Sequence, residues 1–109
     1  MNYIDFTAGN KDYKLRLNIR NTVALEKQLG CNPISIFGTG ETLPTITQMV
    51  QVLHASLQHY NHGISFVDAE TIFEEWLEDG NTITDFLNII IEIYKVSGII
   101  SGGNSEKNA

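Results

Sequence analysis

The chain has 109 residues, 42% hydrophobic and 18% charged, which supplies one buried core without disulfide staples and is not the composition of a disordered segment. The formal net charge of −6, from 13 acidic and 7 basic residues, opposes contact with a phosphate backbone, and the single cysteine, Cys31, excludes an intrachain disulfide. The longest apolar stretch, Ile89 to Ile93, is interrupted by Glu92 and is too short to span a bilayer, so nucleic-acid binding, disulfide scaffolds and membrane spans are all disfavoured.

The N-terminal segment "MNYIDFTAGNKDYK" lacks a basic start followed by an apolar run, so no secretory leader is expected. "YIDFTA" alternates, with Ile4, Phe6 and Ala8 on one face; "YKLRLNI" places Tyr13, Leu15, Leu17 and Ile19 against Lys14, Arg16 and Asn18. Between them "GNKD" is turn chemistry, so a β-hairpin is predicted over residues 3–19. "RNTVALEKQLG" reads as a short helix stopped by Gly30, and "NPISIF" as a turn of helix with Asn32 as cap and Pro33 in its first turn. A longer helix follows Thr45 or Thr47, with Ile46, Met49, Val50, Leu53, Leu57 and Tyr60 as its core stripe. The next starts near Ser65, with Asp68 three residues on, and buries Ile72, Phe73, Trp76 and Leu77. The last, capped by Thr82 with Asp85, is apolar over more than half its circumference and stops at Gly98. The expected fold is an α-dominated α+β domain over residues 1–98, the hairpin packed on a bundle of four to five helices spanning 20–97. A flexible C-terminal tail is expected over 99–109.

Chemistry is sparse. His54, His59 and His62 are the only histidines, and their spacing does not converge two imidazoles on one helix face. They suit the C-terminal end of a helix instead, where imidazoles interact with free carbonyls. "FEEWLEDG" carries carboxylates, but opposite the Ile72–Trp76 stripe, where water reaches them rather than the dry pocket a general acid needs. "DGNTITD" has its glycine in the wrong place for a calcium loop, and Gly38 and Gly40 of "GTGETLP" lack the lysine and hydroxyl of a phosphate loop. Cys31 has no base assigned to it by sequence. No catalytic residue, metal ligand or cofactor is therefore expected. Charge is uneven: Lys11, Lys14, Arg16, Arg20 and Lys27 lie early, while every charged residue from Glu41 to Glu92 is acidic. Solvated helix faces and a patch for a basic partner both account for this.

Several stretches together carry a resemblance. Leu25-Glu26-x-x-Leu29-Gly30 is followed by Asn32-Pro33, then Leu57-x-x-Tyr60-x-His62-Gly63, the acidic helix "FEEWLEDG", and a closing Ser97-Gly98. In their order, from about Tyr13 to Gly98, they resemble the tail assembly chaperones of long-tailed bacteriophages and prophages. The resemblance implies a cytoplasmic morphogenesis factor that binds and solubilises the tape measure protein, helps recruit tail tube protein and is absent from the finished virion. It implies no catalytic residue. Members are often made in two lengths by ribosomal frameshifting, and Glu106-Lys107-Asn108 can be encoded by an unbroken adenine run. A binder of exposed helices needs an apolar face, for which Ile89, Ile93, Val96, Ile99 and Ile100 are the candidates. Neither nucleic acid nor membrane is expected as a partner, and a homo-oligomer is compatible. Two other classes fit the same residues: a small virion protein of the head-tail junction or tail end, and an acidic regulator of a basic partner.

Overall fold

The computed structural model describes residues 2–38 and 43–101, in which an antiparallel hairpin leads into four α-helices. Strand β1 (Ile4–Ala8) pairs with β2 (Lys11–Leu15) so that Ile4 faces Leu15, Phe6 faces Tyr13 and Ala8 faces Lys11. The two turn residues, Gly9 (φ 57°) and Asn10 (φ 67°), are both left-handed, as a tight two-residue hairpin turn requires. Phe6, Ala8 and Leu15 are buried, while Asp5, Thr7, Asp12 and Lys14 on the other face are exposed.

The hairpin ends earlier than its alternation suggests. Ile19, expected as the last inward residue of the strand, opens helix α1 (Ile19–Leu29) and is 80% exposed. The cause is Asn18, whose side-chain oxygen accepts the Asn21 N–H at 2.7 Å and starts a helix, replacing the two-residue period of the strand. Gly30 (φ 74°) stops α1 in the left-handed conformation. Asn32 then opens a 3-10 turn, Pro33–Phe37, by accepting the Ile34 N–H at 2.9 Å.

Helices α2 (Ile46–Leu57), α3 (Phe66–Glu78) and α4 (Ile83–Val96) each begin with a reciprocal capping box: Thr45 with Gln48, Ser65 with Asp68, Thr82 with Asp85. Met49, Val50, Leu53 and Leu57 of α2 are buried as expected. Ile46 and Tyr60 of the same stripe are exposed, because Ile46 is the first residue of the helix and Tyr60 lies beyond its end.

One core joins hairpin and helices. Its centre is aromatic: Phe6 stacks on Trp76 at 5.6 Å between ring centres, and Phe86 meets Phe73 edge-on at 4.9 Å and Trp76 at 5.5 Å. The breadth of α4 is largely consumed by this core, which takes in Phe86, Ile90, Ile93 and Tyr94 fully and Ile83, Leu87 and Ile89 in part. The Tyr94 hydroxyl donates to the Pro33 carbonyl at 3.0 Å, pinning α4 to the 3-10 turn. After α4, Gly98 (φ 79°) turns the chain so that the Ile99 N–H donates to the Tyr94 carbonyl at 2.8 Å. Ile99 and Ile100, expected in a flexible tail, are therefore half-buried against the core. The rest of that tail from residue 102, including Glu106-Lys107-Asn108, lies outside the described residues, as does Gly40.

Burial raises the Tyr94 phenol well above its usual value near 10, and the negative charge of a Cys31 thiolate adds to this. Burial and then Glu75 raise Tyr13 in the same direction. Below the unfolded value near 10 both states hold the proton; above it the unfolded chain releases protons first, so stability falls as pH rises. Tyr94→Phe should cost about 1–2 kcal/mol at pH 7 through the lost hydrogen bond. It should also lose less stability than the parent between pH 9 and pH 11 in urea melts; an unchanged alkaline slope would count against the assignment.

Candidate functional site

A groove of about 610 Å³ lies between the hairpin and the α2–α3 side of the molecule. Lys11, Asp12 and Tyr13 come from β2, Asn61 and Ile64 from the α2–α3 loop, and Asp68, Thr71, Ile72 and Glu75 from α3. Sharing Asp12, Tyr13 and Asn61, a second hollow of about 360 Å³ continues along β2 to Asp5, Lys14 and Tyr60.

The loop that forms one wall is built by Gln58. Its side-chain amide donates to the carbonyls of His54 (3.0 Å) and Ile64 (2.8 Å), and its oxygen accepts the Gly63 N–H at 3.2 Å. The histidines around it are separate fixtures. His54 packs edge-on against Phe66, His59 accepts a hydrogen bond from the Asn18 side-chain nitrogen at 2.9 Å, and His62 is exposed. Because the Asn18 oxygen already caps α1, its NH₂ faces His59 Nδ1, which places the neutral imidazole's proton on Nε2. Among the described residues no three His, Cys, Asp or Glu side chains are placed to hold a metal ion. Cys31 is half-buried at the edge of the core.

At the far end of the second hollow, Lys14 Nζ sits 5.0 Å from the Tyr3 ring centre and 5.9 Å from that of Tyr60, and the two rings meet edge-on at 5.6 Å. The cation–π contacts hold the lysine across the outer hairpin face.

The acids of α3 are not all solvated opposite the core, as the sequence suggested. Glu70, Glu74, Glu78 and Asp79 are exposed, but Glu75 is half-buried against the hairpin turn. Asp79 Oδ2 accepts the Gly9 N–H at 2.9 Å. A Cβ on Gly9 would come within 2.8 Å of Glu75 Oε1. The reason is tertiary: the turn rests on the C-terminal end of α3, which sequence spacing does not disclose. Among the described residues Glu75 has neither a cation within ion-pair distance nor a hydrogen-bond donor; the ion pair there is Lys95 with Glu92, at 3.6 Å. Asp12 is held by the Thr7 hydroxyl at 2.7 Å, and Asp68 serves its helix cap. The groove thus carries more negative than positive charge over an apolar floor of Ile64 and Ile72.

The five residues expected to face a partner are placed differently. Ile93 is 0% exposed, inside the core, and so contributes no surface to the folded chain. Ile89, Ile99 and Ile100 are half-buried against the core and Val96 is half-buried at the helix end. The larger exposed apolar side chains lie elsewhere, at Ile19, Leu43, Ile46 and Val67, and the sequence signal for two of them was their position beside a helix cap, Asn18 and Thr45.

Fold and groove define an α-dominated α+β protein whose hairpin and helical layer enclose a mixed, net acidic cleft. The chain belongs to a family of unknown function, DUF6096, whose model matches residues 4–109. No curated protein and no solved structure matches it.

Gly9→Ala should destabilise the fold by about 1–2 kcal/mol, from the left-handed backbone alone, plus whatever moving the Glu75 carboxylate costs. Combining it with Glu75→Ala should recover only that second part. Equal stabilities of Gly9→Ala and the parent in urea melts would refute the turn geometry.

Proposed function

We propose that this protein is a phage tail assembly chaperone that binds and solubilises the tape measure protein, helps recruit tail tube protein, and acts in the host cytoplasm without catalysis or incorporation into the virion. The observation that supports it is that the phrases carrying the resemblance coincide with the joints of the fold. Gly30 ends α1, Asn32-Pro33 opens the 3-10 turn that receives Tyr94, the Tyr60-x-His62-Gly63 phrase lies in the α2–α3 loop whose Tyr60 and Asn61 line the hollows, and Ser97-Gly98 closes α4. A likeness located at joints is one of architecture. The solvent-facing apolar residues, Ile19, Leu43, Ile46 and Val67, supply contact surface for a partner with apolar helical seams.

A second reading is favoured by one observation, the unpaired half-buried carboxylate of Glu75: an acidic binding protein that occupies a basic partner. The two separate by salt, since apolar contact survives high ionic strength and charge pairing does not.

Co-expression with the longest helical protein encoded just downstream should bring that partner into the soluble fraction and copurify it at 1 M salt, where the Debye length is roughly 3 Å. A partner that stays insoluble beside both this chain and any frameshifted longer product would defeat the chaperone reading. The codons for Glu106-Lys107-Asn108 should contain an unbroken adenine run between their first and last bases; interrupted adenines would remove that slip site.

A further inference from the structure

The hairpin has two edges, and the one on β2 opens onto the groove. In an antiparallel pair, residues alternate between those whose backbone groups bond across the ladder and those whose groups point away. With Ala8 and Lys11 flanking a two-residue turn as the first bonded pair, Phe6–Tyr13 and Ile4–Leu15 are the next bonded pairs. The N–H and C=O groups of Asp12 and Lys14 therefore point outward along β2. Two positions further on, the Arg16 N–H is taken by the Ser56 carbonyl of α2 at 2.9 Å. No such partner meets Asp12 or Lys14 among the described residues, and both line the hollows between β2 and the helical layer.

Charge says what fits there. Asp5, Asp12, Asp68 and Glu75 outnumber Lys11 and Lys14 along the two hollows, and none of them forms an ion pair among the described residues. Glu75 and its neighbours also stand at the C-terminal half of α3, where the helix dipole disfavours negative charge and no basic residue occupies the last turn. A cation seated in the groove would relieve both. Ile64, Ile72 and the ring of Tyr13 leave room for an apolar side chain at alternate positions.

We propose that this groove binds an extended, basic peptide segment of a protein partner by strand addition. The segment lies against β2 as a third strand, exchanging backbone hydrogen bonds with Asp12 and Lys14. It directs apolar side chains toward Ile64 and Ile72 and places a lysine or arginine between Asp68 and Glu75. The mode rests on the acidic-binder reading, since the chaperone reading has its partner held through apolar helical seams. The open edge accounts for affinity and the acids for selectivity.

The test is a selection of random dodecapeptides on the immobilised full chain, followed by amide NMR of the chain with the best synthetic peptide. Enriched sequences should place apolar and basic residues two positions apart, on the one strand face that meets the groove. The Asp12 and Lys14 amides should shift and gain exchange protection, and N-methylation of the peptide at the residues facing β2 should weaken binding at least tenfold. Glu75→Gln with Asp68→Asn, checked for unchanged thermal melting, should weaken it at least tenfold at low salt. The peptide-side modification keeps the test decisive if that variant folds poorly. Failure to enrich any sequence, enrichment of acidic sequences, shifts confined to other surfaces, or binding indifferent to N-methylation would each overturn the proposal; the last would mean a helical or side-chain-only ligand.

Discussion

A two-stranded hairpin does not hold together alone in water, and the rest of this structure depends on how that weakness is met. Phe6, from the middle of β1, enters a ring cluster with Phe73, Trp76 and Phe86 that joins the hairpin to α3 and α4. Pairs of this kind contribute roughly 0.5–1.5 kcal/mol each beyond the area they bury. Once Phe6 is seated, the strand alternation decides which hairpin face is dry, and the turn at Gly9-Asn10 falls on the end of α3. The groove is the space left on the β2 side by that seating.

The molecule keeps its local rules almost everywhere and relaxes them beside the groove. Three helices begin with reciprocal capping boxes, and α4 carries Asp85 in its first turn and Lys95 in its last, matching the helix dipole. Helix α3 has its acid cap at the start but also gathers Glu74, Glu75, Glu78 and Asp79 toward its end. Asp79 is compensated by the Gly9 N–H, whereas Glu75 stays half-buried without a partner of its own. Departures from local consistency of this kind concentrate where a surface serves something other than the fold.

Much of the architecture was legible because caps and turns are written in adjacent residues. Ser65 with Asp68, Thr82 with Asp85, Asn32 before Pro33, and Gly30 after Leu29 each act within a few positions, so their chemistry can be read directly. What was not legible depended on distant partners. Ile19 continues a strand pattern on paper, but Asn18 commits the backbone to a helix first. The apolar excess of α4 had two explanations in sequence; contact with β1, α2 and the 3-10 turn takes up most of it, which removes Ile93 from any partner surface. The groove itself was invisible, because Tyr13 and Glu75 are brought together only by the packing of the turn on α3. The organiser of the histidine stretch, Gln58, carried no sequence signal at all, because its bonds to the His54 and Ile64 carbonyls depend on how the loop folds back.

The contacts that seat the hairpin also set an order of events during synthesis. Gly9 waits for Asp79, and the Leu17 N–H waits for the Ser97 hydroxyl, 2.9 Å away in the finished fold. The two members of that last pair are 80 positions apart, so at typical rates of translation the hairpin emerges about 4–16 s before its final partner. Through most of that interval Phe6 is without the rings of Trp76 and Phe86 that cover it in the finished fold. The charged residues along the strands, Asp5, Lys11, Asp12 and Lys14, are then the nascent chain's protection against pairing with a neighbour on the same polysome.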